Sequence, residues 1–425
     1  MADRKLIGDL LDEISMFPII DCHTHIRWYQ PSAENLADII FYHYIATELE
    51  SAGMPRELIS EDLPPEKRIQ NILPYLSRIQ NTTTLWGLMR IFRELFDFDG
   101  VILDESNWKR VYDIANERLK EERWYRKVLK EKLNIQRAFL TIEFDEEFSG
   151  YDREMFIPTL RIDPWINQIH SPETTRRLEK ASGIYIKCLE DLKEAIGKVY
   201  GKFKDQGAVS VAVSLPPDFV VSPVAEVSAE RIYDNVLSGN PISDDDFLTL
   251  RSYLFYKVVE FCKEFNMPFQ LMLGVDRGVF KDRDGLSTDL NMIKTLRDAL
   301  NRYPDVRFDI CILNTVLLHE LTVYAKIFPN CVVSGHWWYT FYPVYIKQML
   351  RERIEMLPIV KTNGFFSDSY YCEWSVAKVR LYLRQLAEVL AEKIEDGYLT
   401  EDQALWVARR MLWENPIENF NLNLG

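Results

Sequence analysis

The sequence lacks the features of disulfide-rich, zinc-knuckle and membrane-spanning proteins. Its six cysteines, at positions 22, 188, 262, 311, 331 and 372, form no CxxC pair, so neither a disulfide framework nor a structural zinc knuckle is indicated. No apolar run reaches the length of roughly 18 residues that crosses a bilayer. The first residues interleave charged and apolar side chains, unlike a secretory signal. We therefore expect a cytoplasmic protein with no membrane partner.

The sequence also lacks an excess of positive charge. It carries 51 basic and 65 acidic side chains, a formal net charge of -14. Nucleic acid backbones and anionic lipids repel such a chain, so we expect no nucleic acid partner. A small anionic substrate stays compatible, because a few local cations outweigh a distant field. With 47% hydrophobic residues, the chain is typical of a globular protein with a large core.

Short apolar runs, each followed by polar residues, recur along the chain. They predict strands at residues 18–22, 137–142, 156–162, 208–214, 268–273, 306–312, 331–334 and 360–366. Amphipathic stretches lie between most of them, including 174–204, 247–265, 288–302 and 344–355, as is typical of crossover helices. Strand and helix repeated eight times predict an α/β fold, a parallel (β/α)8 TIM barrel.

The interval between the first two predicted strands is too long for one crossover. Residues 31–134 show helical patterns and no convincing strand. We interpret them as a helical insertion in the first βα loop, within a single barrel domain that spans residues 1–425. Helices at 372–395 and 400–413 are predicted to close the domain. The position of the insertion matters, because βα loops cover the catalytic face of such a barrel.

The strongest local signal for chemistry is the DCHTH motif, which places His23 and His25 directly after the first strand. Alternate residues at a strand end point the same way, so both imidazoles can bind one metal ion. An isolated HxH motif is common by chance, and two loop histidines without a ligand are the alternative. The position at a barrel strand end favours the metal site.

Asp368 follows the last predicted strand and offers a carboxylate. The first and last strands are neighbours when a barrel closes, so Asp368 can reach an ion that His23 and His25 bind. It can also accept a proton from a water or hydroxyl that the cation makes acidic. Taken alone, Asp368 is better explained as a helix N-cap.

Five motifs, in the right order along nearly the whole chain, resemble those of uronate isomerases in the amidohydrolase superfamily. They are DCHTH (21–25), YHY (42–44), TLRIDP (159–164), SGHWW (334–338) and FSDS (366–369). The resemblance implies a barrel of the metal-dependent hydrolase type and a place in carbohydrate metabolism. It also implies an isomerase that interconverts aldo- and keto-hexuronates, such as glucuronate and fructuronate, through a cis-enediol.

The resemblance further implies one divalent metal ion, usually zinc, on His23, His25 and Asp368. Asp368 would also move a hydroxyl proton, Tyr44 would transfer the carbon-bound proton, and Arg161 would act at the substrate. Arg161 is suited to stabilise an enediolate. Tyr44 can act as a base only if a cation or donor lowers its pKa from about 10. Packing for Tyr44 and an ion pair with Asp163 for Arg161 are the alternatives.

The expected substrate contacts come from His43, Trp337 and Trp338. The family usually carries an arginine two residues beyond the aspartate, where this chain has Tyr370. A tyrosine cannot supply the planar cation that recognises a carboxylate, although Tyr370 still lies at the site. Arg277, or Arg27, is expected to compensate. The role of His336 is open. Met272 replaces a fifth-strand histidine found in many superfamily members, which favours one metal over two.

Two other functions fit the same residues. A metal-dependent lactonase or amidase would use them to activate water, and a sugar-acid binding protein would retain the pocket without the chemistry. The expected partner is a small-molecule sugar acid, and a homo-oligomer is left open.

Overall fold

The computed structural model describes residues 3–424. Its strands are Ile19–Thr24 (β1), Ile135–Glu143 (β2), Phe156–Arg161 (β3), Ser210–Leu215 (β4), Phe269–Leu273 (β5), Val275–Phe280 (β6), Arg283–Leu286 (β7), Phe308–Ile312 (β8), Cys331–Ser334 (β9) and Thr362–Asn363 (β10). Eight of them form one parallel sheet in the order β1-β2-β3-β4-β5-β8-β9-β10. Strands β6 and β7 form a separate antiparallel hairpin that the sequence patterns did not indicate.

Hydrogen bonds beyond β10 join the last strand to the first. Strand β10 has two residues, fewer than predicted, because the chain after Asn363 turns toward β1. There the Asp368 amide donates to the His23 carbonyl at 3.0 Å, and the His25 amide donates to the Ser369 carbonyl at 2.9 Å. The sheet is thereby nearly closed, with helices around it, which confirms the predicted (β/α)8 fold.

The helices occupy the intervals between the strands. They are Arg4–Ser15 (α1), Leu36–Ile40 (α2), His43–Ser51 (α3), Pro65–Leu76 (α4), Thr83–Leu95 (α5), Trp108–Arg118 (α6), Trp124–Arg126 (α7), Asp163–Asn167 (α8), Pro172–Ser182 (α9), Leu189–Asp205 (α10), Glu226–Leu237 (α11), Asp244–Glu264 (α12), Met292–Thr295 (α13), Arg297–Arg302 (α14), Leu318–Ile327 (α15), Pro343–Met356 (α16), Cys372–Glu395 (α17), Glu401–Arg409 (α18) and Asn415–Asn419 (α19). Helices α2 to α7 fall in the interval interpreted as an insertion, which contains no strand. The amphipathic stretch 174–204 is two helices, because Gly183, at φ 71°, ends α9.

Helix α17 is the helix outside the barrel with the most extensive packing against other helices. It is buried along most of its length and packs against α1, α5 and α16. A second apolar cluster, which includes Ile20, Phe139 and Met272, fills the barrel interior. All six cysteines are free thiols. Within residues 3–424, no helix is both long and apolar enough to cross a membrane.

Candidate metal centre and active site

Two imidazoles and one carboxylate converge where the first and last strands meet. His23 lies near the end of β1, His25 lies just beyond it, and Asp368 follows β10. One potential ligand atom from each residue lies within 4.8 Å of the others. Asp368 Oδ1 is 3.3 Å from His25 Nε2 and 3.8 Å from His23 Nε2. The structure therefore brings together the three residues predicted as metal ligands.

The backbone of Asp368 is held in an uncommon conformation. Its φ is 54°, in the left-handed region that costs a non-glycine residue free energy. Its amide donates to the His23 carbonyl, and the Tyr42 hydroxyl donates to its carbonyl at 3.0 Å. These bonds fix the carboxylate beside the imidazoles, as is typical of strained residues at functional sites.

The electrostatics of the three side chains suit a cation. Burial lowers the pKa of His23 to about 3, and the neighbouring His25 adds to this effect, so the His23 ring is neutral. Burial raises the pKa of Asp368, but the close approach of the His25 and His23 imidazoles outweighs burial and leaves this pKa below its usual value. His23 Nε2 and Asp368 Oδ1 are buried without a hydrogen-bond partner. Buried polar atoms rarely lack a hydrogen-bond partner. Two imidazole nitrogens and a carboxylate oxygen in this arrangement fit one divalent cation.

A cavity of about 340 Å³ opens beside this cluster, and we call it the larger cavity. Eight of the residues predicted for the site contribute to its wall, namely His25, His43, Arg161, Arg277, Trp337, Trp338, Asp368 and Tyr370. The barrel, the segment after α2 and the β6-β7 hairpin each supply some of them. The larger cavity therefore collects residues that are distant in the sequence around the three potential ligands.

Arg161 lies at the end of β3, and its guanidinium is shared between two carboxylates. Its Nε is 3.1 Å from Asp163 Oδ2 and 3.3 Å from Glu143 Oε1. The ion pair considered from the sequence is thus present, and the same side chain also lines the larger cavity. Arg161 is a cation held in a fixed position beside the potential metal ligands.

Tyr370 stacks on the ring of His25, with centroids 4.9 Å apart and an interplanar angle of 19°. It therefore packs against a potential ligand, where it brings no positive charge. Arg277 reaches the cavity from the hairpin, where it pairs with Asp284 and its side chain is 55% exposed. Burial lowers the pKa of His43 to about 4, so His43 faces the cavity as a neutral ring.

Tyr44 does not line the larger cavity. Its side chain lines a space of about 30 Å³, which we call the smaller cavity, together with Lys378 and Trp338. The Tyr44 hydroxyl is buried and has no hydrogen-bond partner, and burial raises its pKa well above the usual value. Trp338, at φ 43°, lines both cavities and forms the wall between them.

His336 lies outside both cavity walls. It is buried, and its Nδ1 is 3.2 Å from the Met349 sulfur. The sequence patterns missed three charged hairpin residues of the larger cavity, Asp282, Arg283 and Asp284, and Lys378 of the smaller one. The only local signal for the hairpin was the turn-forming composition of residues 281–285, because its charged side chains hide the apolar alternation of a strand.

Comparisons with known proteins identify relatives of this chain. A sequence model described as glucuronate isomerase matches residues 2–288. The chain is 22% identical to the uronate isomerase of Thermotoga neapolitana, over 96% of this chain and 95% of that protein. Its structure matches the uronate isomerase of Thermotoga maritima with a TM-score of 0.91 at 18% identity, covering 99% and 98% of the two chains.

The fold also matches a putative metal-dependent hydrolase from Lactobacillus casei, with a TM-score of 0.62 at 14% identity and 97% of each chain covered. That match supports the predicted type of barrel. Because the family model covers well over half of the sequence, the chain belongs to the glucuronate isomerase family.

Proposed function

We propose that this isomerase interconverts an aldo- and a keto-hexuronate, of the glucuronate and fructuronate kind, through an enediol. The observation that carries the proposal is the convergence of His23, His25 and Asp368, with free ligand atoms, beside the larger cavity and Arg161. The glucuronate and uronate isomerases to which the chain is similar support the same substrate class. The proposed partner is thus a small sugar acid, and the proposed location is the cytoplasm.

One divalent ion, which we propose to be zinc, fits the three ligands. Two imidazoles and a carboxylate are ligands that zinc prefers, although other first-row metals accept them too. A bound cation supplies positive charge that stabilises negative charge on the sugar oxygens. His23 and His25 would hold it through their ring nitrogens, and Asp368 would hold it through its carboxylate.

Proton transfer is assigned to residues of this chain. Asp368 takes the proton of a substrate hydroxyl, since its carboxylate is ionised and faces the cavity. Arg161 stabilises the negative charge that develops on the enediolate, because it is a fixed cation at the cavity wall. Its two carboxylate partners, Asp163 and Glu143, hold the guanidinium in place.

Tyr44 is proposed to transfer the carbon-bound proton, a role that requires a cation or a hydrogen-bond donor in the substrate complex to lower the pKa that burial raises. Its hydroxyl faces the smaller cavity, so this role requires the Trp338 side chain to move when substrate binds. The uncommon backbone conformation of Trp338 makes it a suitable moving wall, because such residues are often found at switch positions. His43, Trp337, Trp338, Arg277 and Tyr370 are proposed to bind the substrate in the larger cavity.

The test is proton NMR of zinc-loaded protein with glucuronate or galacturonate in deuterated water. We expect ketose signals and deuterium at the carbon next to the carbonyl, because proton transfer through an enediol exchanges with solvent. Ketose without deuterium would support isomerisation and contradict the exchanging enediol. Mass spectrometry covers the hydrolase alternative: a lactone product heavier by one water, with no ketose from either acid, would contradict the proposal. Binding without any product would contradict it too.

A further inference from the structure

The β6-β7 hairpin is an addition to the barrel that reaches the larger cavity. Its strands pair Val275 with Leu286 and Phe280 with Arg283, outside the eight-stranded sheet. The hairpin supplies Arg277 and Arg283 to the cavity wall. It therefore adds two cations to the one that β3 provides through Arg161, together with the carboxylates of Asp282 and Asp284.

Arg283 is tied to the helix that also carries His43. Its Nη2 donates to Glu50 Oε1, and Glu50 lies on α3. His43, Thr47 and Glu50 are spaced to lie along one face of this helix, and the first two line the larger cavity. At the hairpin turn, Arg56 Nη1 donates to Asp282 Oδ1 at 2.6 Å. The hairpin is thus held against the segment that borders the cavity.

One nitrogen of Arg283 is left without a partner. Its Nε is buried and makes no hydrogen bond, and the side chain is 21% exposed. An unsatisfied donor on a charged group costs free energy, so an acceptor that enters the cavity would be stabilised there. The Glu50 contact fixes one part of the guanidinium and leaves this donor free.

The other two arginines of the larger cavity, Arg161 and Arg277, are either paired with more carboxylates than Arg283 or more exposed to solvent. Arg161 has two carboxylates within 3.3 Å of its Nε. Arg277 is held by Asp284, and its side chain is 55% exposed, so solvent screens its charge. Arg283 combines partial burial with a free donor, which favours it for recognition of an anionic group.

We propose that Arg283 binds the carboxylate of the sugar acid and selects a uronate over a neutral sugar. This inference rests on the proposed function and adds a residue that determines its specificity. Held by Glu50, the guanidinium is preorganised, so little side-chain freedom is lost when the carboxylate binds. The substrate then lies between the metal ligands and the hairpin.

The test compares glucuronate with glucuronamide, which has a neutral amide in place of the carboxylate. In Arg283→Met, the KM for glucuronate should rise about 100-fold, as expected for a lost charged hydrogen bond, while kcat and the KM for glucuronamide change little. Arg283→Lys keeps the positive charge but loses the planar guanidinium. Its KM for glucuronate should therefore lie between that of the wild type and that of Arg283→Met. Equal melting temperatures exclude a misfolded hairpin.

The matched control is Lys281→Met, which removes one positive charge from the same hairpin at an exposed position outside the cavity wall. It should change either KM less than about threefold, because screening weakens distant surface charges. Arg283→Met with an unchanged KM for glucuronate, or with both KM values raised equally, would overturn the inference.

Wild-type turnover separates this inference from the proposed function. If the wild type isomerises glucuronate and Arg283→Met keeps its KM, only the inference fails. If the wild type does not isomerise it, the proposed function fails. Dissociation constants of the two sugars, measured by calorimetry on wild type and Arg283→Met, then decide the carboxylate assignment: a loss of affinity for glucuronate alone upholds it, and any other result rejects it.

Discussion

The two cavities that share Trp338 differ in how their charges are compensated. In the larger cavity each arginine has a carboxylate partner, and the potential metal ligands lie at strand ends fixed by backbone hydrogen bonds. In the smaller cavity, Lys378 has no carboxylate partner among the described residues. Its ammonium lies 4.7 Å from the ring centroid of Tyr44 and 4.4 Å from that of Phe341. The larger cavity therefore has a preorganised polar site, whereas the buried cation of the smaller cavity lowers the stability of the fold.

Asp368→Asn tests whether the larger cavity carries the chemistry. We expect it to have the largest effect on turnover. The amide keeps the volume but removes the anionic ligand and the proton acceptor, so kcat should fall by about 10⁴-fold. Zinc content, measured by plasma mass spectrometry, should fall with it, while the melting temperature of the metal-free protein stays close to that of the wild type. Near-normal turnover with full zinc content would contradict the assignment of Asp368.

Tyr44→Phe asks whether the smaller cavity joins the larger one during the reaction. If Tyr44 transfers the carbon-bound proton, kcat should fall by about 10³-fold with little change in KM. Tyr342→Phe, in the same smaller cavity, is the matched control. It should change kcat less than about threefold, since a hydroxyl that transfers no proton does not stabilise the transition state more than the bound substrate. Equal kcat values for the two variants would show that Trp338 keeps the cavities separate.

The sequence predicted the barrel and the metal ligands for the same reason. Buried parallel strands appear as short apolar runs, and the polar residues that follow them face one end of the barrel. The adjacency of the first and last strands in a closed barrel was therefore enough to predict that His23, His25 and Asp368 lie together. Arg161 and the SGHWW motif were assigned to the site through the resemblance to uronate isomerases, and both lie where a barrel strand ends.

Residues whose direction depends on packing could not be placed from the sequence. Tyr44 lies in a helix next to His43, yet the two side chains face different cavities. Lys378 lies among apolar residues of α17, and the sequence does not say whether such a lysine extends to solvent. Arg283 required a hairpin whose charged strands lack the apolar alternation used to recognise strands. These positions are set by tertiary contacts between distant segments.

Lys378→Met should have the smallest effect, and it concerns stability. Burial lowers the pKa of Lys378 from 10.5 to about 8. Between pH 8 and 10.5 the unfolded chain binds more protons than the folded one, so the free energy of unfolding of the wild type should rise with pH in this window. Below pH 8 the full cost of the buried charge remains. Removing the charge should raise the free energy of unfolding at pH 7 by up to about 3 kcal/mol.

Urea denaturation of the zinc-loaded protein at pH 7 and at pH 10 measures this difference. The gain from Lys378→Met should be present at pH 7 and shrink at pH 10, because the wild-type lysine loses its proton there in the folded state. Lys326→Met, at an exposed position, should stay within about 0.5 kcal/mol of the wild type at both values. A loss of stability in Lys378→Met at pH 7 would show that the ammonium is compensated, and the contrast between the two cavities would then disappear.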